Sequence, residues 1–411
     1  MKDRSMKMIT RFSLYGFLKN FDFSEPFLIL FWLSLGLNFF QIGILVAFQN
    51  VLINVMEIPS GAFADLAGRK TSMLVSLISY VIAFLLFAVA DSFAFLFVPL
   101  VFYAVGDAFR TGTHKAMIFD WLKINNRLDE RTKVYGYTRS WSNYGSAFSV
   151  LIAALIMIAF RDYRLVFWLS VVPGLVGVWN MFCYPDELNR KKAGSVSLSG
   201  ILAHTFSGVK KALTHPRIRT LVVQNMAFEG CFVVSKDFVQ PLLKAQALAL
   251  TAWIALSEDR ATALGVGIVY FILHMVSAWT SRRAHSFVKK AKGENRAALI
   301  LLAVGAALFA ISSVGLCAGQ IYIALAVFIA LFILQNLWVP VNVAQYDAYS
   351  DETDQATILS VASQAKAVGV AVIAPLSGLA ADAFGIQGSM TMLTVILALT
   401  FTWSVLKKIN P

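Results

Sequence analysis

Glu57-Ile58-Pro59-Ser60-Gly61-Ala62-Phe63-Ala64-Asp65-Leu66-Ala67-Gly68-Arg69-Lys70 lies between two long apolar runs. One run enters it and another leaves from about Met73. The stretch reads as a turn of about ten residues, holding two glycines, one acid and two adjacent bases. Glycine permits a sharp turn or a close backbone approach. Asp65 is suited to a helix N-terminus and Arg69 to a carboxylate on a neighbouring helix. Adjacent Arg and Lys between two membrane helices place a turn at the cytoplasmic face.

Composition supports a membrane chain. Hydrophobic residues make up 58% of the 411 and charged residues 14%, with mean hydropathy +0.69. Soluble domains are about half apolar and about a quarter charged. Apolar stretches of bilayer-crossing length, about 20 residues, occur at 12–36, 40–60, 71–90, 93–119, 137–160, 164–184, 219–243, 261–281, 297–317, 320–346, 358–380 and 387–406. They must be helices, because unpaired amides are too costly in hydrocarbon. The predicted architecture is an all-α integral membrane protein with twelve transmembrane helices. The halves are 1–184 and 219–411, joined by a cytoplasmic linker, 185–218, in which 209–213 is read as a short surface helix. Residues 245–256 are apolar but too short to span, and are expected at the outer interface.

The net charge of +12 could suggest nucleic acid, but the bases lie in short loops. With the N-terminus inside, cytoplasmic segments hold 25 of the 35 bases and outer loops hold four. Both termini are therefore expected in the cytoplasm, with no removable leader. Cys183, Cys231 and Cys317 lie far apart in apolar runs, so neither a disulfide framework nor a metal site is expected. The histidines lack ligand spacing, and no phosphate-binding Gly-rich loop occurs. Ser363-x-x-Lys366 matches a penicillin-binding motif by letters alone. Neither catalysis nor a cofactor is expected.

Charges inside spans should face a partner or a wet cavity. Tyr103, Asp107, Arg110 and His114 recur at helical spacing in the fourth span. They read either as a cavity wall, with Asp107 a proton carrier, or as a buried ion pair. Lys19 and Asp22 are spaced to pair, and Asp22 and Glu25 could raise one another's pKa. Asn50, Asn54 and Glu57 form a polar face of the second span. Asn225 and Glu229 share a face of the seventh. Gln335, Trp338, Asn342 and Gln345 recur in the tenth, as substrate contacts or interhelical glue. Gln364 and Lys366 lie in the eleventh, where Lys366 needs an acid: Asp22, Glu25 or Glu229.

Gly61-x-x-x-Asp65-x-x-Gly68-Arg69-Lys70 resembles the signature between helices 2 and 3 of the major facilitator superfamily. Leu66 stands where that family usually has a base. The resemblance implies two pseudo-symmetric six-helix bundles and alternating access. It implies an Arg69–Asp120 pair, Asp65 against the N-terminus of helix 11, and gate roles around Glu57, Gly61, Gly68 and Lys70. Close packing of a hinge helix is expected at Gly136 and Gly145. Gly378-x-x-Ala381-Asp382-x-x-Gly385 echoes Gly61-x-x-Ala64-Asp65-x-x-Gly68, as inverted repeats would. The expected function is secondary transport of a small organic solute, proton-coupled and outward, by a monomer in the cytoplasmic membrane. Import of a nutrient or anionic metabolite, lipid flipping and sensing without transport are the alternatives.

Overall fold

The computed structural model describes residues 2–127, 130–189, 214, 216–251, 257–281, 284–347 and 355–409. Among these residues the chain is helical, with no strand. In order the helices are α1 (Lys2–Lys19), α2 (Leu28–Ser34), α3 (Phe39–Ala67), α4 (Arg69–Val89), α5 (Phe93–Arg110), α6 (Thr113–Ile124), α7 (Arg131–Phe160) and α8 (Tyr163–Phe182). They continue as α9 (Pro216–Asp237), α10 (Val239–Thr251), α11 (Glu258–Ser281), α12 (Ala284–Ala291), α13 (Glu294–Cys317), α14 (Ile321–Asp347), α15 (Gln355–Phe384) and α16 (Ile386–Ile409).

Ten helical stretches among the described residues are long and apolar enough to cross a membrane. The two remaining expected spans are broken. The first stops at Lys19 and resumes at the 3₁₀ turn Glu25–Phe27. There the Asp22 carboxylate accepts from Ser24 N at 2.8 Å and Ser24 Oγ at 2.6 Å, offering the backbone a local alternative to the helix. The seventh breaks at Phe238, so 245–251 belong to α10, while 252–256 lie outside the described residues, as does the expected surface helix at 209–213.

The decisive turn is far shorter than the sequence suggests. α3 runs through Pro59, Gly61 and Asp65 to Ala67, and α4 begins at Arg69. Gly68 alone reverses the chain, at φ 98°, a conformation a side chain rarely adopts. A Cβ there would also stand 2.2 Å from Asn189 Oδ1. That oxygen accepts from Thr71 N at 3.1 Å and so satisfies an amide in the first turn of α4.

The structure resolves into two compact units: 1–31, 52–201 and 255–274, and 32–51, 202–254 and 275–411. Compactness thus groups 32–51 and 255–274 differently from the division the linker suggests. In the first unit Phe12, Met73, Met117, Leu122 and Met181 form a buried core. Gly145 lets α7 approach α1, since a Cβ there would meet Phe17 O at 2.3 Å, whereas Gly136 faces open space. In the second unit Asp382 caps α3. Its Oδ1 accepts from Phe39 N at 2.9 Å and its Oδ2 from Phe40 N at 2.8 Å. Large apolar side chains such as Phe182, Val314 and Leu399 are exposed, as a lipid-facing surface requires.

Candidate functional site

In the first unit the site is built on α1, α4, α5 and α8. Asp107 accepts from Arg110 Nη2 at 2.7 Å and from the Tyr80 hydroxyl. The i,i+3 spacing on α5 brings acid and base together. Tyr103 meets Tyr80 edge-on, with ring centroids 5.1 Å apart. Lys19 Nζ stands 5.8 Å from the Tyr80 ring centroid. Of these groups Lys19, Tyr80 and Tyr103 border a cavity of about 50 Å³, which Asp107 and Arg110 do not line. Tyr15, Lys19, Asn20, Asp22 and Glu25 line one wall; Tyr80, Phe84 and Tyr103 line another; Ser170 and Pro173 close a third.

Two expectations for this unit need correction. Lys19 and Asp22 form no ion pair: Asp22 is turned into its own Ser24, with Ser170 Oγ at 3.4 Å. The four-residue stripe is not one helix face either. α5 ends at Arg110, and Gly112, at φ 75°, restarts the chain as α6. His114 is thereby carried into the aromatic core, stacked on Tyr15 at 3.9 Å with Nε2 3.3 Å from Tyr184 Oη. Asn54 and Glu57 are half-buried on α3.

The second unit holds a parallel arrangement. Glu229 on α9, 5% exposed, accepts from Gln335 Nε2 at 2.9 and 3.0 Å. Lys366 Nζ lies 3.4 Å from Glu229 Oε2, and its side chain is 42% exposed. Of the three acids proposed for Lys366, Glu229 is the one that pairs with it. Trp338 is fully buried, stacked on Phe228 at 4.2 Å, and donates to Asn225 Oδ1 at 3.2 Å. Asn225 Nδ2 donates in turn to Ala362 O at 2.8 Å. Trp338 and Asn225 therefore tie α14, α9 and α15 together, and the solute-wall reading of Trp338 gives way to the packing one. Asn342 is buried with Nδ2 unpartnered, and Gln364 is half-buried.

At the α3–α4 turn, Arg69 and Asp120 form an ion pair. Lys70 donates to Asp186 Oδ1 at 2.6 Å and Tyr184 O at 2.7 Å, fastening α4 to the end of α8. Gly61 is exposed and Asp65 half-buried. The expected contact of Asp65 with the start of helix 11 falls on side chains outside the described residues. Sequence reasoning did not single out Tyr80, Tyr15, Asp186 or Asn189. The tyrosines lie in or beside apolar runs without a charge pattern, and Asp186 and Asn189 lie in the stretch read as linker.

A sequence model of the family described as Major Facilitator Superfamily matches residues 12–344. The uncharacterized MFS-type transporter YxaM of Bacillus subtilis (strain 168) is 30% identical over 89 residues, which are 22% of this chain and 22% of YxaM. That alignment spans about a fifth of the relative's length. Among solved structures, a mutant of the nucleoside transporter NupG superposes with TM-score 0.81 at 10% identity, covering 97% of this chain and 98% of that one. A POT family transporter in complex with 5-aminolevulinic acid gives 0.75 at 14%, covering 97% and 96%. A bacterial homologue of the human lysosomal transporter Spinster, inward-facing and unoccupied, gives 0.72 at 15%, covering 98% and 96%. At these identities the likeness is one of fold.

Proposed function

Because the chain belongs to the Major Facilitator Superfamily, we propose that it moves a small organic solute across the cytoplasmic membrane by alternating access, driven by protons. The observation that carries this reading is the pairing of Glu229, buried on α9, with Lys366 and Gln335, which lie on two of the membrane-length helices. Protonating Glu229 cancels its attraction for Lys366 and leaves an ammonium that must find water or an anion. A proton can thereby change which packing is stable. Asp107 is the second proposed carrier, since its proton would compete with Arg110 and Tyr80.

The moving bodies are proposed to be 1–184 and 219–411, joined through 185–218, with both termini cytoplasmic. Arg69–Asp120 would shape the cytoplasmic end of the first body, from which Asp65, with Gly61 and Glu57 beside it, would meet the start of helix 11 in one state. The mirrored cap of Asp382 on α3 would hold the other end. Outward transport is proposed from the aromatic-rich composition, 33 Phe and nine Trp; import is its rival, and a monomer is the proposed unit.

Flux of a solute panel in proteoliposomes under an imposed pH gradient tests this. Solute movement with accompanying proton movement is expected, lost in Glu229→Gln. Absence of both for every solute would favour a sensing protein.

A further inference from the structure

We infer that the cavity of the first unit is an oxyanion subsite, in which Lys19 and Tyr15 receive the carboxylate of an apolar, aromatic solute. The inference rests on the transport reading above and adds the chemical class of the solute.

Three bases enter the two polar clusters, and their partners differ. Arg110 is neutralised by Asp107 and Lys366 by Glu229. Lys19 takes part in no ion pair among the described residues. Its ammonium instead stands over the Tyr80 ring, at 5.8 Å from the centroid, and lines the cavity. Such a charge inside a membrane-length bundle needs water or an anion. Tyr15 supplies a second and independent sign. It lines the same cavity and is 5% exposed, and its buried hydroxyl, beside the Arg110 guanidinium, makes no hydrogen bond of ordinary geometry among the described residues. A buried donor left unmade is costly, and an incoming carboxylate would satisfy it together with the ammonium.

The acids nearby do not reverse this reading. The Asp22 carboxylate is turned through its Oδ1 toward Ser24 N, Ser24 Oγ and Ser170 Oγ. Asp107 is held by Arg110 and Tyr80. Glu25 lines the cavity but is exposed. The remaining wall is apolar and aromatic, with Phe84, Tyr103 and Pro173. Apolar pockets with a few fixed polar groups orient ligands in this way.

Three probes of one scaffold separate charge from shape: phenylacetate, phenylacetamide and phenethylamine. Each is titrated against the purified full-length protein in detergent, following thermal stabilisation, and then offered to proteoliposomes. Phenylacetate should stabilise the protein most. Lys19→Gln should weaken that binding by about tenfold or more, the scale of a lost charge-assisted contact, while Lys19→Arg retains most of it. Tyr15→Phe, which keeps the ring in the core, should weaken it less. Equal stabilisation by the amide, stronger stabilisation by the amine, or undiminished phenylacetate binding in Lys19→Gln would each overturn the inference. Lys19-dependent binding without flux would leave the subsite standing and remove the transport reading. Flux of neutral or cationic solutes indifferent to Lys19 would do the reverse.

Discussion

Glu229 illustrates how a single acid can be both fastened and reachable. Two bonds from Gln335 and the Lys366 ammonium fix it, yet the lysine side chain is 42% exposed. Removing one partner of a sealed ion pair costs about 3–5 kcal/mol. Here the exposed lysine can be solvated, so Glu229→Gln should cost only about 1 kcal/mol or less. A melting curve in detergent would read that as a modest downward shift, whereas loss of folded protein would show Lys366 to be trapped. Lys366→Met in the same background should recover part of the shift. Trp338→Phe is expected to behave differently. It removes the donor to Asn225 from a fully buried position, at about 1–2 kcal/mol, with solute affinity unchanged. A changed affinity at constant stability would return Trp338 to the binding wall.

Helix-scale behaviour is governed by backbone approach. At Gly378 a Cβ would stand 2.2 Å from Phe39 O, and at Gly43 2.4 Å from Ala374 O. α3 and α15 therefore touch backbone to backbone where Asp382 caps α3. Gly378→Leu should destabilise the protein by more than the roughly 1–3 kcal/mol typical of overpacking, because the obstructing atom is a carbonyl rather than a flexible side chain. Asp382→Ala should cost about 1 kcal/mol, the usual worth of an N-cap. Unchanged melting of both variants would mean that this contact is absent in the membrane. The α3–α4 turn obeys the same rule, with Gly68 confined by Asn189, so Gly68→Ala is expected to be worse than Gly61→Ala, whose Cβ would meet open space.

For the whole molecule, charge asymmetry sets orientation. Cys317 is exposed and Cys231 is buried. In the proposed topology, with the N-terminus cytoplasmic, Cys317 ends a helix on the outer side. A membrane-impermeant maleimide should label it in intact cells and leave Cys231 untouched. Labelling of Cys317 only after permeabilisation would invert the topology.

The membrane class, helical content and family signature were legible in the residues, because hydrocarbon imposes length and apolarity on every span and a turn must carry its own glycines and charges. The broken first and seventh spans were less legible. The break in the first depends on local competition for backbone groups, Asp22 binding Ser24. Spacing alone suggested that Lys366 needed an acid but left three to choose from, and it offered Asp22 for Lys19. Only tertiary structure gave Lys366 to Glu229, left Lys19 without an ion-paired carboxylate among the described residues, and placed Asp382 on a helix 343 residues away in sequence. Periodicity says which face a side chain occupies along its own helix. Which face of which other helix meets it is decided by packing, and a charge inside a bilayer takes its meaning from that meeting.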